Sequence, residues 1–143
     1  ERIGILDNDF KFPDANKILN IGEENLRKIG FGFRAPYVID AADKVVNKVI
    51  RIEEIKNQDY EEQLKHLTQV NGIGRKVADC ILTYGFSRRD TFPVDRWVRK
   101  GLINNLGFDK ELNNEKLAEM GREKFKEDSA YIQQYIFYGE KTN

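Results

Sequence analysis

Between Ala35 and Ile50 the apolar residues Val38, Ala41, Ala42, Val45, Val46 and Val49 recur at intervals of three and four. That spacing places them on one face of an α-helix and predicts a helix that packs against others. The same period returns along the whole chain. Asp14 is placed to cap a helix through Leu19, and Glu23 to Ile29 reads as another, stopped by Gly30 and Gly32. Tyr60 to Leu67 gives a further one. Past the turn Asn71-Gly72-Ile73-Gly74, the residues Val77, Cys80, Ile81 and Tyr84 line one face of a helix ending near Gly85. Pro93 then opens a segment in which Asp95 caps Arg96 to Ile103, followed by Glu111 to Phe125 and Ser129 to Tyr138. No stretch alternates with period two, and neither a repeat nor a low-complexity tract is present. The expectation is an all-α bundle of about eight short helices, forming one domain over residues 1–143.

Several classes of protein are disfavoured at this point. Apolar runs are only a few residues long, and the N-terminus lacks a charged-then-apolar leader, so neither membrane spanning nor secretion is expected. A single cysteine, Cys80, cannot close an internal disulfide or build a four-thiolate zinc or iron–sulfur site, and it fits a reducing, cytoplasmic setting. The chain carries 24 Lys and Arg against 24 Asp and Glu. That balance argues against an indiscriminate nucleic-acid binder, but it conceals an asymmetry. From Gly72 to Lys100 there are seven basic residues and three acidic ones, whereas from Asp109 to Asn143 there are six basic and eight acidic. Positive charge is concentrated in the middle of the chain.

That basic stretch contains the residues best suited to chemistry. In Leu67-Thr-Gln-Val-Asn-Gly-Ile-Gly-Arg-Lys76-Val-Ala-Asp-Cys80 a helix, a tight turn and a second helix form a hairpin. Its tip exposes backbone N–H groups at a helix N-terminus, a ready site for a phosphate. Gly72 and Gly74 permit positive φ in the turn and a close approach by a nucleic-acid backbone. Lys76 falls in the first turn of the second helix, where the helix dipole disfavours an ammonium and where partial burial is expected to act in the same direction. A lysine so placed is a candidate amine nucleophile, with Cys80 one helical turn further on. The plainer reading of the same residues is a turn between two helices, a solvated lysine and a small buried thiol. Asp95, in Phe92-Pro-Val-Asp95-Arg-Trp97, is read as a helix cap whose rigidly held carboxylate can also stabilise a cation or accept a proton.

Taken together, Gly72-Ile-Gly-Arg-Lys-Val-Ala-Asp-Cys80 and Phe92-Pro-Val-Asp95 resemble the helix-hairpin-helix, Gly/Pro-rich loop and aspartate of the base-excision DNA glycosylases. The Lys-Val-Ala-Asp-Cys run is similar to that of the 8-oxoguanine DNA glycosylases. Leu26-Arg-Lys-Ile-Gly-Phe-Gly-Phe33-Arg34-Ala-Pro-Tyr37 is similar to the Gly-aromatic-Arg-Ala-x-Tyr segment of that branch, and Ala130-Tyr-Ile-Gln133-Gln-Tyr-Ile-Phe137 to its Gln-x-x-x-Phe. The four matches run from about Phe12 to Tyr138, in the family's order.

The resemblance implies a bifunctional glycosylase and abasic-site lyase that excises oxidised purine from double-stranded DNA. Lys76 would attack C1′ of a flipped-out nucleotide and hold it as a Schiff base, and Asp95 would stabilise the developing positive charge. Cys80 and Phe137 would sandwich the extruded base, with Gln133 on its Watson–Crick edge. Phe33 would wedge into the vacated stack and Arg34 would bond the estranged cytosine. Gly72 and Gly74 would grip a phosphate, and the carbonyls of Thr68, Val70 and Ile73 would hold a monovalent cation. No other cofactor is implied. Trp97 stands where eukaryotic members carry a histidine, so this chain is more similar to prokaryotic members. Full-length members place a mixed-sheet domain and further helices upstream, so the resemblance implies a C-terminal catalytic half, acting as a monomer in a nucleoid-containing cytoplasm. An alkylpurine glycosylase shares the aspartate but not the hairpin lysine. A non-enzymatic phosphate-gripping module is the other alternative, and it has no need of Asp95.

Overall fold

The computed structural model describes residues 12–142, and among them secondary structure is helical, with no strand. No described helix is long and apolar enough to cross a membrane. The described residues divide into two compact units. One holds the residues up to Ile55 together with Val70–Gly72; the other holds Lys56–Gln69 and the chain from Ile73 onward.

In the first unit, α1 (Ala15–Leu26) packs against α2 (Ala35–Val46), followed by a single turn, α3 (Ile52–Ile55). Asp14 caps α1 as expected, its carboxylate accepting from the Lys17 N–H at 2.8 Å. Gly22, at φ 77° and ψ 159°, breaks α1 into the two segments the sequence suggests. Beyond Leu26 the chain tightens through a π-helical turn (Arg27–Phe31) and a 3-10 turn (Gly32–Arg34) before α2 begins. The expected helix to Ile50 stops at Val46, because Lys48 takes a left-handed conformation at φ 57°. Val46 and Val49 consequently fall outside the core, while Ile50 is turned back into it. The one-turn α3 was not anticipated from periodicity.

The second unit comprises α4 (Tyr60–Leu67), α5 (Arg75–Phe86), α6 (Arg96–Leu106), α7 (Asn114–Phe125) and α8 (Ser129–Thr142). Helix α4 has the expected bounds, with Asp59 capping at the Glu62 N–H. Helix α7 starts at Asn114 rather than Glu111, because Asn113 supplies the cap to the Lys116 N–H. The core joins Phe92, Val94, Val98, Leu102, Leu117 and Ala118, with Phe125 and Phe137 against its edge. Two glycines allow helices to come unusually close. A Cβ at Gly101 of α6 would lie 2.5 Å from Ile136 of α8, and one at Gly121 of α7 would lie 2.6 Å from the Phe92 ring. Phe92 therefore seats directly on the backbone of α7, stacked on Phe125 at 5.7 Å.

The turn residues Val70–Gly72 are held within the first unit. Asp40, gripped by Lys44 at 2.5 and 2.6 Å, accepts the Asn71 N–H at 2.8 Å. The Lys44 and Asn71 hydrogen bonds hold the Asp40 carboxyl below its ordinary value. This anchor is present at neutral pH and is lost as pH falls through the depressed value. Gly72 has φ 81°, and a Cβ there would lie 2.5 Å from Cδ2 of Tyr37. A side chain is thus excluded by this chain's own ring, not only by an incoming nucleic-acid backbone. Gly72→Ala should cost about 2–4 kcal/mol, the sum of left-handed strain and overpacking. Adding Tyr37→Ala should recover only the steric part, relative to Tyr37→Ala alone; denaturant midpoints of the four proteins measure both contributions.

Candidate active site

Helix α5 opens at Gly74, whose extended backbone (φ −87°, ψ 178°) provides no side-chain cap. The amides of its first turn are therefore left to an external acceptor. A Cβ on Gly74 would meet nothing within 4 Å. Unlike Gly72, this glycine faces open space, as a backbone-gripping position requires.

The face of α5 that Val77, Cys80, Ile81 and Tyr84 share is its outward one. Val77 is 39% exposed and Tyr84 64%, with Cys80 and Ile81 half-buried. The core side carries Ala78, Asp79 and Leu82, all fully buried. The expected apolar stripe is thus the outward face, and a carboxylate lies inside because α4 presents Tyr60 to it: the Tyr60 hydroxyl donates to Asp79 Oδ1 at 2.7 Å. Lys76 lies on the exposed side, so burial adds nothing to the effect of the helix dipole on it. Burial pushes the Cys80 thiol above its ordinary value, Lys76 opposes that shift by charge and hydrogen bonding, and Asp79 and Asp95 add to it. Lys76, Cys80 and Asp95 therefore share one electrostatic neighbourhood.

Asp95 is positioned by a short buried segment. Thr91, Phe92, Pro93 and Val94 are all buried, and the next residue caps α6, with Oδ1 accepting from Trp97 and Val98 N–H at 2.9 Å each. Its Oδ2 has no partner among the described residues, so the carboxylate is both held and available. Gln133 is only 4% exposed. Its Nε2 donates to the Pro93 carbonyl at 3.0 Å and its Oε1 accepts from Gln134 at 2.8 Å. One N–H and one lone pair remain for anything else. Phe137, one turn along α8, lies half-buried against the core with the Lys141 ammonium 5.3 Å from its ring. Beside Lys76 opens a cleft of about 240 Å³, lined by Gly74, Asp79, Val94 and Glu115 among others; Cys80, Gln133 and Phe137 do not line it.

The second unit thus contains Lys76, Cys80, Asp95, Gln133, Phe137 and Gly74. Phe33, Arg34 and Gly72 belong to the first. There Phe33 is 65% exposed, with the Arg34 guanidinium 4.5 Å over its ring, a stiff aromatic–cation pair on the surface. Of the turn residues expected to offer carbonyls, Val70 is buried and belongs to the first unit, while Thr68 and Ile73 belong to the second. Three residues beside the candidate site escaped the sequence reading. Tyr60 and Asp79 form the buried pair behind Lys76, and Gln134 hydrogen-bonds both Gln133 and the Tyr84 hydroxyl. An aspartate between Lys76 and Cys80 was visible, but nothing in the spacing marked it as buried.

A model of the HhH-GPD superfamily of base excision DNA repair proteins matches residues 2–128. This chain belongs to that superfamily. Among the relatives of this HhH-GPD chain, a probable N-glycosylase/DNA lyase of Methanothermobacter thermautotrophicus is 34% identical over 92% of the chain and 38% of the relative. The N-glycosylase/DNA lyase of Saccharomyces cerevisiae is 36% identical over 62% of the chain and 27% of its own length. In structure, the chain is similar to the Clostridium acetobutylicum 8-oxoguanine glycosylase/lyase in complex with double-stranded DNA containing cytosine opposite 8-oxoguanine. The TM-score is 0.89 and the identity 33%, over 94% of this chain and 46% of that one. A 3-methyladenine DNA glycosylase from Archaeoglobus fulgidus aligns less closely, with a TM-score of 0.73 at 29% identity. The chain spans less than half the length of these proteins. The all-helical expectation and the family resemblance both hold.

Within this HhH-GPD unit the cap function of Asp95 can be measured separately from its charge. Asparagine caps about as well as aspartate, so Asp95→Asn should shift the unfolding free energy by less than about 0.5 kcal/mol, whereas Asp95→Ala should cost about 1 kcal/mol. Thermal or chemical denaturation of the two variants checks the difference.

Proposed function

We propose that this chain carries the catalytic half of a bifunctional DNA glycosylase and abasic-site lyase acting on oxidised purine, 8-oxoguanine, in double-stranded DNA. The observation that carries the reading is the placement of Lys76, Cys80 and Asp95 in one unit. There the Lys76 ammonium and the Asp95 carboxylate act on the Cys80 thiol in opposite directions, the first lowering and the second raising its pKa. The relatives named as glycosylase/lyases, and the 8-oxoguanine enzyme similar in structure, support the substrate class. Relatives named as alkyladenine glycosylases are less similar, and Lys76 separates this chain from them on the residue pattern above.

The chemistry follows from the residues. The neutral Lys76 amine attacks C1′ of a nucleotide turned out of the duplex, and the C1′–N bond breaks with its electron pair leaving on the base, which takes up a proton. Asp95 stabilises the positive charge that builds on the sugar as the base departs. Opening of the sugar ring gives a Schiff base on Lys76; loss of a C2′ proton then expels the 3′ phosphate by β-elimination. Cys80 and Phe137 would flank the base, and the remaining hydrogen-bonding capacity of Gln133 would meet its edge. The uncapped amides from Gly74 would hold a phosphate, aided by the turn at Gly72. Phe33 and Arg34, exposed in the first unit, would meet the gap and the opposite cytosine. The carbonyls of Thr68, Val70 and Ile73 lie within six consecutive residues. Such neutral oxygens suit a monovalent cation that would brace the turn. The protein would act as a monomer on DNA in the cytoplasm.

Borohydride trapping tests the reading. The chain and its Lys76→Gln variant are each incubated with duplexes carrying 8-oxoguanine opposite cytosine, an abasic site, or no lesion. A Lys76-dependent cross-link to the first duplex is the expected result, with DNA binding by the variant nearly unchanged. Asp95→Asn should slow trapping by roughly 100-fold, the scale for removing one charge-stabilising group. Cross-linking that persists in Lys76→Gln would refute the assigned nucleophile. A cross-link only at the abasic site would place base recognition outside this half of the protein.

A further inference from the structure

Behind the helix that carries Lys76 lies a charged cluster that the reaction above does not use. Asp79 is completely buried, three residues after Lys76 and one before Cys80. Its Oδ1 receives the hydroxyl of Tyr60, which is itself 3% exposed, while its Oδ2 and the Nε of Arg75 are buried without partners. The Tyr60 ring sits among three guanidinium groups, with Arg122 of α7 at 3.3 Å, Arg88 at 5.5 Å and Arg75 at 5.9 Å. Those arginines are fixed in turn. Arg88 chelates Asp90 at 2.7 and 3.0 Å and bonds Gln63; Arg122 donates to the Asp90 carbonyl; and Arg75 faces Glu119 at 3.6 Å.

A buried carboxylate with one oxygen unpartnered is a poor way to stabilise a helix contact, and an apolar residue would serve stability better. What the pair does supply is direction. Ala78 and Leu82, the other buried residues of α5, would tolerate rotation of the helix about its axis, whereas a hydrogen bond to one carboxylate oxygen would not. We propose that the Tyr60–Asp79 hydrogen bond, enclosed by Arg75, Arg88 and Arg122, is a positioning device that fixes the rotation of α5 and thereby aims Lys76, three residues before Asp79, and Cys80, the residue after it. Tyr60 and Asp79 are positioning residues: both are buried and act through α5. This inference rests on the function proposed above for its catalytic consequence, but its geometric claim stands without DNA.

The charge of Asp79 gives a distinctive readout. Burial raises its carboxyl above the ordinary value; the Tyr60 hydrogen bond, Arg75 and Arg122 oppose the rise, and Asp90 adds to it. Deleting the Tyr60 hydroxyl removes one opposing contribution, so Asp79 protonates at higher pH. Tyr60→Phe is nearly isosteric and should slow borohydride trapping at an abasic duplex by about tenfold, the scale of a small misalignment, without weakening DNA binding. The acid limb of its pH–rate profile should move upward, and Asp79→Asn should remove the Asp79 contribution to that limb. A residue that only stabilised the fold would leave the limb where it is. Alkylation of Cys80, the sole cysteine, by iodoacetamide reports on the same helix face without DNA, and should accelerate about threefold in Tyr60→Phe as its shielding loosens. If the parent chain traps nothing, the functional reading fails while Cys80 alkylation still decides the positioning claim. Unchanged alkylation in both variants, whether or not trapping and its acid limb are also unchanged, would overturn the device. Should either variant fail to fold by circular dichroism, the other carries the comparison; failure of both would assign the pair to stability and refute positioning.

Discussion

A non-helical run of four buried residues, Thr91–Val94, is the constraint on which the second unit depends. Backbone without helix or sheet partners is costly to bury, so its polar groups must be met from outside. The surrounding helices do this. The Asp90 carbonyl accepts from Arg122 of α7, the Pro93 carbonyl from Gln133 of α8, and the Arg89 carbonyl from the Ala130 N–H at the start of α8. Phe92 presses its ring onto Gly121, where any side chain would collide with it. These contacts come from α7 and α8, and together they deliver Asp95 to the start of α6 at a fixed place and orientation. An aspartate at the tip of a free loop would be a cap; one at the end of a buried, cross-braced segment is a positioned charge.

The same logic explains why α5 is amphipathic in the unexpected sense. A helix that carries chemistry must turn its reactive residues outward, and here Val77, Cys80 and Tyr84 go with Lys76 to the open side. The inward side is then left with two small or medium apolar residues and Asp79. Apolar burial there gives affinity for the core but little angular definition, because it is non-directional. Directional contact comes from Tyr60, and the guanidinium groups around its ring keep the buried carboxylate tolerable.

How far the chain could be read in advance divides along physical lines. Helix positions followed from period and caps: Asp14 and Asp95 both act where local chemistry puts them, and α4 has the expected bounds. These signals are local, and a local signal survives folding. Periodicity leaves open which face packs. In α5 it gathers Val77, Cys80, Ile81 and Tyr84 on one face, although an apolar face can equally be kept for a ligand, and the buried aspartate on the inward side requires a tyrosine 19 residues earlier that no spacing rule connects to it. The end of α2 was misplaced for a similar reason: Val49 continues the stripe on paper, but the left-handed Lys48 ends the helix first. Gly101 and Gly121 look like weaknesses inside helices until Ile136 and Phe92 are seen against them. Lys76, Cys80 and Asp95 were legible because motif residues keep their order in the chain even when their contacts are invisible.

Charge closes the connection between sequence and site. The basic excess between Gly72 and Lys100 is not a uniform cationic surface, since several of its members are occupied: Arg75 faces Glu119, Arg88 holds Asp90, and Arg99 bonds the carbonyls of Lys110 and Leu112. A count of arginines therefore overstates the charge available to a polyanion. What remains outward are Lys76, Arg89, paired with the exposed Asp128, Arg96, whose guanidinium lies 4.6 Å over Trp97, and Lys100, half-exposed and shared with Glu140. With so few free cations, attraction by bulk charge is weak, and on the function proposed above the grip falls to directed groups: the uncapped amides at Gly74 and the aromatic–cation pair of Phe33 and Arg34. On the proposed function, a neutral chain would engage a phosphate backbone through geometry, because several of its arginines are already occupied by acidic and carbonyl partners of its own.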